Sequence, residues 1–212
     1  GIFVSHEHSD HIVGLQQLLK RFDIPVYTKQ GTWREIQDKL IVPKNRLIEL
    51  TKGSLTLGSL IVEPFSVSHD AADPIGINVF AGNDKATIVT DTGVISDDVL
   101  RRIDDTTLLV LEANYDPHML RFGPYQPFLK QRVASDEGHL SNEMAAQALL
   151  MMKRPDFMQV ILAHRSENNN NAVLVTQTIG KMLVDGGVRI GPEMKLQHGQ
   201  PNEIVSIQSV ER

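Results

Sequence analysis

The 212-residue sequence contains no cysteine. That excludes a disulfide framework, thiolate zinc sites, iron–sulfur ligation and a cysteine nucleophile, so any metal must be held by nitrogen and oxygen donors. It also lacks an apolar run of membrane-spanning length. The residues given open on no charged-then-apolar leader, and a cytoplasmic setting away from membranes is the expectation. Positive charge is scarce: 21 Lys and Arg against 26 Asp and Glu give a formal net charge of −5. This argues against a surface coated for non-specific nucleic-acid binding. It does not exclude a nucleic-acid substrate, because bound divalent cations concentrate positive charge in one place. Against these absences stand eight histidines in an ordinary globular composition, 41% hydrophobic and 22% charged. A chain of this length buries a core without covalent staples.

Periodicity and turn signals read as mixed α and β, with no repeat, low-complexity stretch or linker, so residues 1–212 are expected to form one domain. Strands are predicted at Gly1–Ser5, Pro25–Thr28, Arg46–Leu50, Ser54–Leu57, Leu60–Val67, Ile75–Ala81 and Lys85–Thr90. Further strands are predicted at Thr107–Leu111, Gln159–Ala163 and Ile204–Ile207. Helices are predicted at Ser9–Arg21, Thr32–Leu40, Asp97–Ile103, Asn142–Lys153 and Ala172–Val184, the last closed by Gly186-Gly187. His118–Val133 reads as irregular to helical, broken by Pro124 and Pro127. Gly1 is not a methionine, and Ile2-Phe3-Val4 reads as a strand already under way. The expectation is therefore that N-terminal residues, and strands with them, precede Gly1.

The chemistry concentrates in His6-Glu7-His8-Ser9-Asp10-His11. Two histidines at i and i+2 on extended backbone project to one side, so His6 and His8 can grip one ion. Asp10 and His11, at the turn and first helical positions, can aim at a second. The plainer alternative is a polar loop with solvated histidines. Glu7 is not needed as a ligand and is expected in an outer layer or in solvent.

This hexapeptide resembles the HxHxDH signature of the metallo-β-lactamase superfamily, and further residues follow the family's order. His69 comes after the Leu60–Val67 strand in Ser66-Val67-Ser68-His69-Asp70. Asp91 ends the Lys85–Thr90 strand in Thr90-Asp91-Thr92-Gly93. His164 ends the Gln159–Ala163 strand in Leu162-Ala163-His164-Arg165-Ser166. The resemblance implies an αββα sandwich and two divalent cations, Zn²⁺ or Mn²⁺, roughly 3.5–4 Å apart. His6, His8 and His69 would hold the first and Asp10, His11 and His164 the second, with Asp91 and a water between them. A glyoxalase-type thioesterase is disfavoured, since Ser68-His69-Asp70-Ala71-Ala72-Asp73-Pro74 replaces that branch's Gly-His-Thr-Pro-Gly-His stretch.

Gly138-His139-Leu140-Ser141-Asn142, running into the Asn142–Lys153 helix, resembles the phosphate-contacting histidine of the family's phosphodiesterase and nuclease branches. It places His139 as proton donor to a leaving oxygen, with Ser141 and Asn142 as caps or anion-binding donors. An ordinary capped helix start is the alternative. With Leu111-Glu112-Ala113-Asn114-Tyr115-Asp116 and Leu162-Ala163-His164-Arg165-Ser166-Glu167-Asn168-Asn169, the sequence is similar to the YycJ/WalJ-type subgroup of these nucleases. That resemblance implies a 5′→3′ DNA exonuclease in which a metal-bridging hydroxide, oriented by Asp10, attacks phosphorus. Arg165 stands where an apolar residue is implied.

Arg121, Tyr125, Lys130 and Arg132 could border a substrate groove, the cations taking phosphates and Tyr125 stacking on a base, or could form a solvated helix. Asn168–Asn171 reads as the approach to a helix, Trp33 as packing, and His118 and His198 as surface residues. Rival functions are a small or cyclic nucleotide phosphodiesterase, an RNA-processing nuclease on the same fold, and a non-catalytic metal-bound sensor.

Overall fold

The computed structural model describes residues 1–51, 53–201 and 203–207. A three-stranded parallel sheet is formed by β1 (Ile2–Phe3), β2 (Val26–Thr28) and β3 (Leu47–Glu49), in that order. The larger sheet contains β4 (Leu55–Leu57), β5 (Leu60–Ser66), β6 (Ile75–Ala81), β7 (Asp84–Val89), β8 (Leu108–Glu112), β9 (Met158–Ala163) and β10 (Met194–His198). Its spatial order is β10-β9-β8-β7-β6-β5-β4. β4 to β7 pair antiparallel, and β7 to β10 pair parallel. Tight turns join β4 to β5 and β6 to β7, Gly82 supplying the left-handed φ of 60° in the second, while the longer connection from Val67 to Pro74 joins β5 to β6 and carries His69.

Side-chain alternation sorts the layers. On β2, Val26 faces a helix-side cluster with Ile12, Leu15, Leu19 and Ile36, while its neighbour Tyr27 faces the opposite way. Tyr27, with Leu50 and Phe3, packs on Val62, Ile75 and Ile77 of the larger sheet, so the two sheets meet face to face. The helix side of the small sheet is covered by α1 (Ser9–Ile12), α2 (Leu15–Arg21) and α3 (Gln30–Ile36). On the far face of the large sheet lie α4 (Asp97–Ile103), α7 (Asn142–Met151) and α8 (Ala172–Asp185). Val99, Ile103, Leu149, Ile179 and Leu183 from these helices pack on Val89, Leu109, Leu111, Val160 and Leu162. The result is the αββα layering that the resemblance implied.

Several expectations are corrected. Ser9–Arg21 is not one helix: it breaks at Val13-Gly14, since Gly14 adds no helix-favouring side chain and Val13 points to solvent, 78% exposed. His118–Val133 falls into two short helices separated at Pro124, and two of the prolines here start helices. Pro117 opens α5 (Pro117–Phe122) and Pro127 opens α6 (Pro127–Val133), where a missing N–H costs nothing. The terminal strand is Met194–His198, paired parallel with β9, and Ile204–Ile207 forms no strand. Ile204 is 97% exposed, so it has no sheet face to bury against. The turn signal Lys52-Gly53 separates the predicted Arg46–Leu50 and Ser54–Leu57 strands, and Lys52 lies outside the described residues. Among the described residues no helix is long and apolar enough to cross a membrane.

Candidate metal centre and its cleft

The parallel half of the large sheet sets the site. β7, β8 and β9 are adjacent, with Val89 beside Leu111 and Glu112 beside Ala163. Their carboxyl ends therefore display Asp91, Glu112 and His164 side by side, the place where α/β sheets present ligands. Asp91 and His164 both take left-handed backbone, φ 57° and 51°, a conformation that Asp and His tolerate better than most residues and that turns sharply at a strand end. The His6–His11 segment, between β1 and α1, closes the cluster from the small sheet.

The predicted ligands converge. His6 and His8 have ring centroids 4.7 Å apart, and His69 lies 5.0 Å from each. His69 Nε2 is 3.2 Å from His8 Nδ1. On the other side, His11 Nε2 and His164 Nε2 stand 3.4 Å and 3.7 Å from Asp10 Oδ2. Asp91 lies between the two groups. Its Oδ1 is 3.8 Å from His69 Nε2 and 3.4 Å from His164 Nε2, and its Oδ2 is 3.4 Å from His11 Nε2. His6, His8 and His69 form one set able to hold a metal ion, and Asp10, His11 and His164 another.

The buried atoms test that fit. His6 Nε2, His11 Nε2 and Asp91 Oδ2 are shut from solvent without a hydrogen-bond partner. Polar atoms buried in that state are costly unless something binds them. Three orphaned lone-pair sites from imidazole and carboxylate, aimed at one centre, fit a divalent cation of N/O preference. Burial pushes the His6 imidazole down to about 3, so it is neutral and free to donate its lone pair. Burial also disfavours charge on Asp91, but the nearby His11, His164 and His6 imidazoles outweigh it and hold the carboxylate ionised.

Ligand orientation comes from a second layer. His69 Nδ1 is 3.1 Å from the carbonyls of both Glu137 and Gly138, and His6 Nδ1 is 3.1 Å from Ser5 Oγ. Glu7, predicted as outer-layer or solvent, is buried and accepts the Ala72 amide at 2.7 Å. The residue that sequence reasoning missed is Glu112. Its Oε1 lies 2.8 Å from His139 Nδ1 and 2.7 Å from His164 Nδ1, while Oε2 accepts the Thr92 and Leu140 amides. Burial alone would raise the Glu112 carboxyl, but its bonds with the two imidazoles lower it. The sequence signals were a charged residue ending an apolar strand and its place in the Leu111–Asp116 stretch that carries the resemblance, neither of which gave it a role.

His139 stands at the rim, 5.2 Å and 5.4 Å from the rings of His69 and His164. The loop before it packs against Gly93, where a Cβ would sit 2.2 Å from the Ser135 carbonyl. Beside His139 opens a cleft of about 860 Å³, lined by Tyr125, Arg132, His164, Arg165 and Asn170 among others.

The remaining predicted groove residues divide. Tyr125 and Arg132 line the cleft, and Arg132 is tied by two nitrogens to Asp70. Arg121 is exposed over the Phe122 ring, and Lys130 donates to the Arg121 carbonyl. Ser141 caps α7 by accepting the Met144 amide. Asn142 is fully buried, its amide exchanged with that of Asn170. Neither Ser141 nor Asn142 lines this cleft. Asn171 caps α8, while Asn169 and Asn170 are core residues. Trp33 packs on the small-sheet cluster and His118 is exposed, as read from the sequence. His198, read as a surface residue, ends β10 half-buried, 2.8 Å from Thr176 Oγ1.

The four-layer fold and this donor cluster define a metal-dependent hydrolase. The chain belongs to the beta-lactamase superfamily, whose domain model matches residues 1–164. It is 36% identical to the exodeoxyribonuclease YycJ of Bacillus anthracis, the match covering 99% of this chain and 80% of that protein. It is 32% identical to the exodeoxyribonuclease WalJ of Streptococcus pneumoniae serotype 2, covering 95% of this chain and 76% of that one. Among solved structures it resembles the metallo-beta-lactamase fold protein YhfI from Bacillus subtilis, with a TM-score of 0.66 at 16% identity. That match covers 92% of this chain and 73% of the other.

Proposed function

We propose that this protein hydrolyses phosphodiester bonds in DNA as a 5′→3′ exonuclease, with two divalent ions, Zn²⁺ or Mn²⁺, in its centre. The observation that carries the reading is Asp91 standing between two His-rich sets, with orphaned donor atoms aimed at one place. His6, His8 and His69 would hold one ion, and Asp10, His11 and His164 the other, with Asp91 shared. The exodeoxyribonuclease relatives supply the choice of DNA and of exonucleolytic cleavage.

Bound divalent ions supply Lewis acidity toward a phosphoryl group and lower the pKa of coordinated water. The chain supplies the rest. Hydrolysis breaks a P–O bond, and the departing sugar oxygen needs a proton. His139 lines the cleft beside the ligands and is placed to give it from Nε2. Glu112 Oε1 fixes His139 through Nδ1 and stabilises the imidazolium that carries that proton. The same oxygen fixes His164, so proton donor and ligand are held in one register. Asp10, with its side chain 65% exposed beside His11 and His164, helps orient the attacking water.

The test is to incubate the Mn²⁺- or Zn²⁺-loaded protein with end-labelled single- and double-stranded DNA, RNA and a chromogenic phosphodiester. The reading predicts metal-dependent, stepwise shortening of DNA from the 5′ end, lost in His8→Ala. Full activity surviving in His8→Ala, or turnover of the small diester alone, contradicts it.

A further inference from the structure

Arg165 follows His164 at the end of β9, where the family resemblance implies an apolar residue. Its side chain lines the cleft next to the metal centre. One terminal nitrogen, Nη1, is buried without a hydrogen-bond partner. No carboxylate among the described residues pairs with it. The cleft's other arginine is already neutralised: Arg132 donates from Nε and Nη2 to the two oxygens of Asp70, the latter at 3.0 Å. Neighbouring His198 registers the difference, since burial and then the Arg165 charge push its imidazole down.

A guanidinium half withdrawn from water with no internal anion is unfavourable unless a ligand neutralises it. Its planar fork matches the non-bridging oxygens of a phosphate, and a single scissile phosphate is already served by the metal centre and His139. We infer that Arg165 is a second phosphate-binding residue, taking the internucleotide phosphate adjacent to the scissile one and so selecting polynucleotides over small diesters. This rests on the phosphodiesterase reading above. In a chain of net charge −5 it also supplies the local positive charge that a DNA groove needs.

The experiment compares the metal-loaded protein with its Arg165→Gln and Arg165→Lys variants on a five-nucleotide single-stranded DNA. A matched series of substrates carries one neutral methylphosphonate at each non-scissile linkage in turn. Arg165→Gln is expected to raise KM about tenfold, the scale of one lost charge-assisted bond, with a smaller change in kcat. Arg165→Lys should recover part of that loss. The slope of log(1/KM) against log salt should flatten by about 0.7, one single-strand phosphate contact. The methylphosphonate adjacent to the scissile bond should penalise the parent protein but add little to Arg165→Gln. Additive penalties at every linkage, an unchanged salt slope, or reduced metal content in Arg165→Gln overturn the inference while leaving the phosphodiesterase reading intact. If the parent protein cleaves no phosphodiester with either metal, both fall.

Discussion

Glu112 and His139 are joined at 2.8 Å through Oε1 and Nδ1, and the same carboxylate oxygen reaches His164 at 2.7 Å. One fully buried oxygen thus orients both an expected ligand and the expected proton donor. Replacing Glu112 with Gln keeps the shape but removes the anionic acceptor and points a donor amide at an imidazole. Metal affinity should fall about 10- to 100-fold, the usual cost of an outer-shell partner, as read by chelator competition. Unchanged affinity would show that the two imidazoles are positioned without it.

The metal-free protein should have its highest thermal midpoint near pH 6.5. Burial works against the charged form of His164, but its bond to Glu112 and the charges of Asp91, Glu112 and Asp10 prevail and raise it to about 9. That contribution is fully present below the unfolded pKa of about 6.5 and is lost as pH rises through about 9. His6, pushed down to about 3 by burial, acts on the other side. Below about pH 6.5 the unfolded chain takes up a proton that folded His6 refuses, so stability falls as the solution is acidified. Calorimetry in chelator from pH 4 to 10 checks the maximum. A midpoint rising steadily across that range would contradict it.

Gly93 is a close-approach position. A Cβ there would meet the Ser135 carbonyl at 2.2 Å and Asp136 backbone atoms at 2.4 Å, in the loop that orients His69 and carries His139. Gly93→Ala should destabilise by about 1–3 kcal/mol, the range for overpacking, and lower activity with it. Gly14→Ala is the paired comparison: Gly14 has αR backbone and nothing within 4 Å of a Cβ, so stability should rise by about 0.4–1 kcal/mol. Denaturant titration separates the two.

Asn170 and Asn142 exchange amide hydrogen bonds at 2.8 Å and 3.1 Å, and Asn170 also donates to the Ala113 carbonyl. Truncation to Ala at Asn170 leaves a fully buried amide unsatisfied at Asn142. The expected loss is about 2–3 kcal/mol by urea unfolding, since an orphaned buried polar group costs about 1–3 kcal/mol on its own.

Legibility in the sequence followed locality. His6, His8, Asp10 and His11 were readable because their spacing alone brings them together, and His69, Asp91 and His164 because their order matches a known pattern. Glu112 was not readable: at the end of Leu108–Glu112 it is one charge after four apolar residues. Only the parallel register of β7, β8 and β9 reveals that it sits between Asp91 and His164. Asn142 read as a cap because helix starts favour Asn, but tertiary pairing with Asn170 claimed it. The strand Met194–His198 escaped because its residues mix apolar, charged and polar types without an apolar run like Val160–Ala163 of its neighbour β9, whereas Ile204–Ile207 looked more strand-like and forms no strand.

The most direct test of the central claim is the dependence of the His139→Ala penalty on the leaving group. It is measured as kcat for a DNA phosphodiester, which expels a sugar alkoxide, and for a p-nitrophenyl phosphodiester, whose leaving group needs no proton. If His139 delivers the proton, the variant should lose about 10²- to 10⁴-fold on DNA and far less on the nitrophenyl ester, with metal content unchanged. Equal losses on both substrates, or loss of metal in the variant, would contradict that role and leave His139 as a structural partner of Glu112.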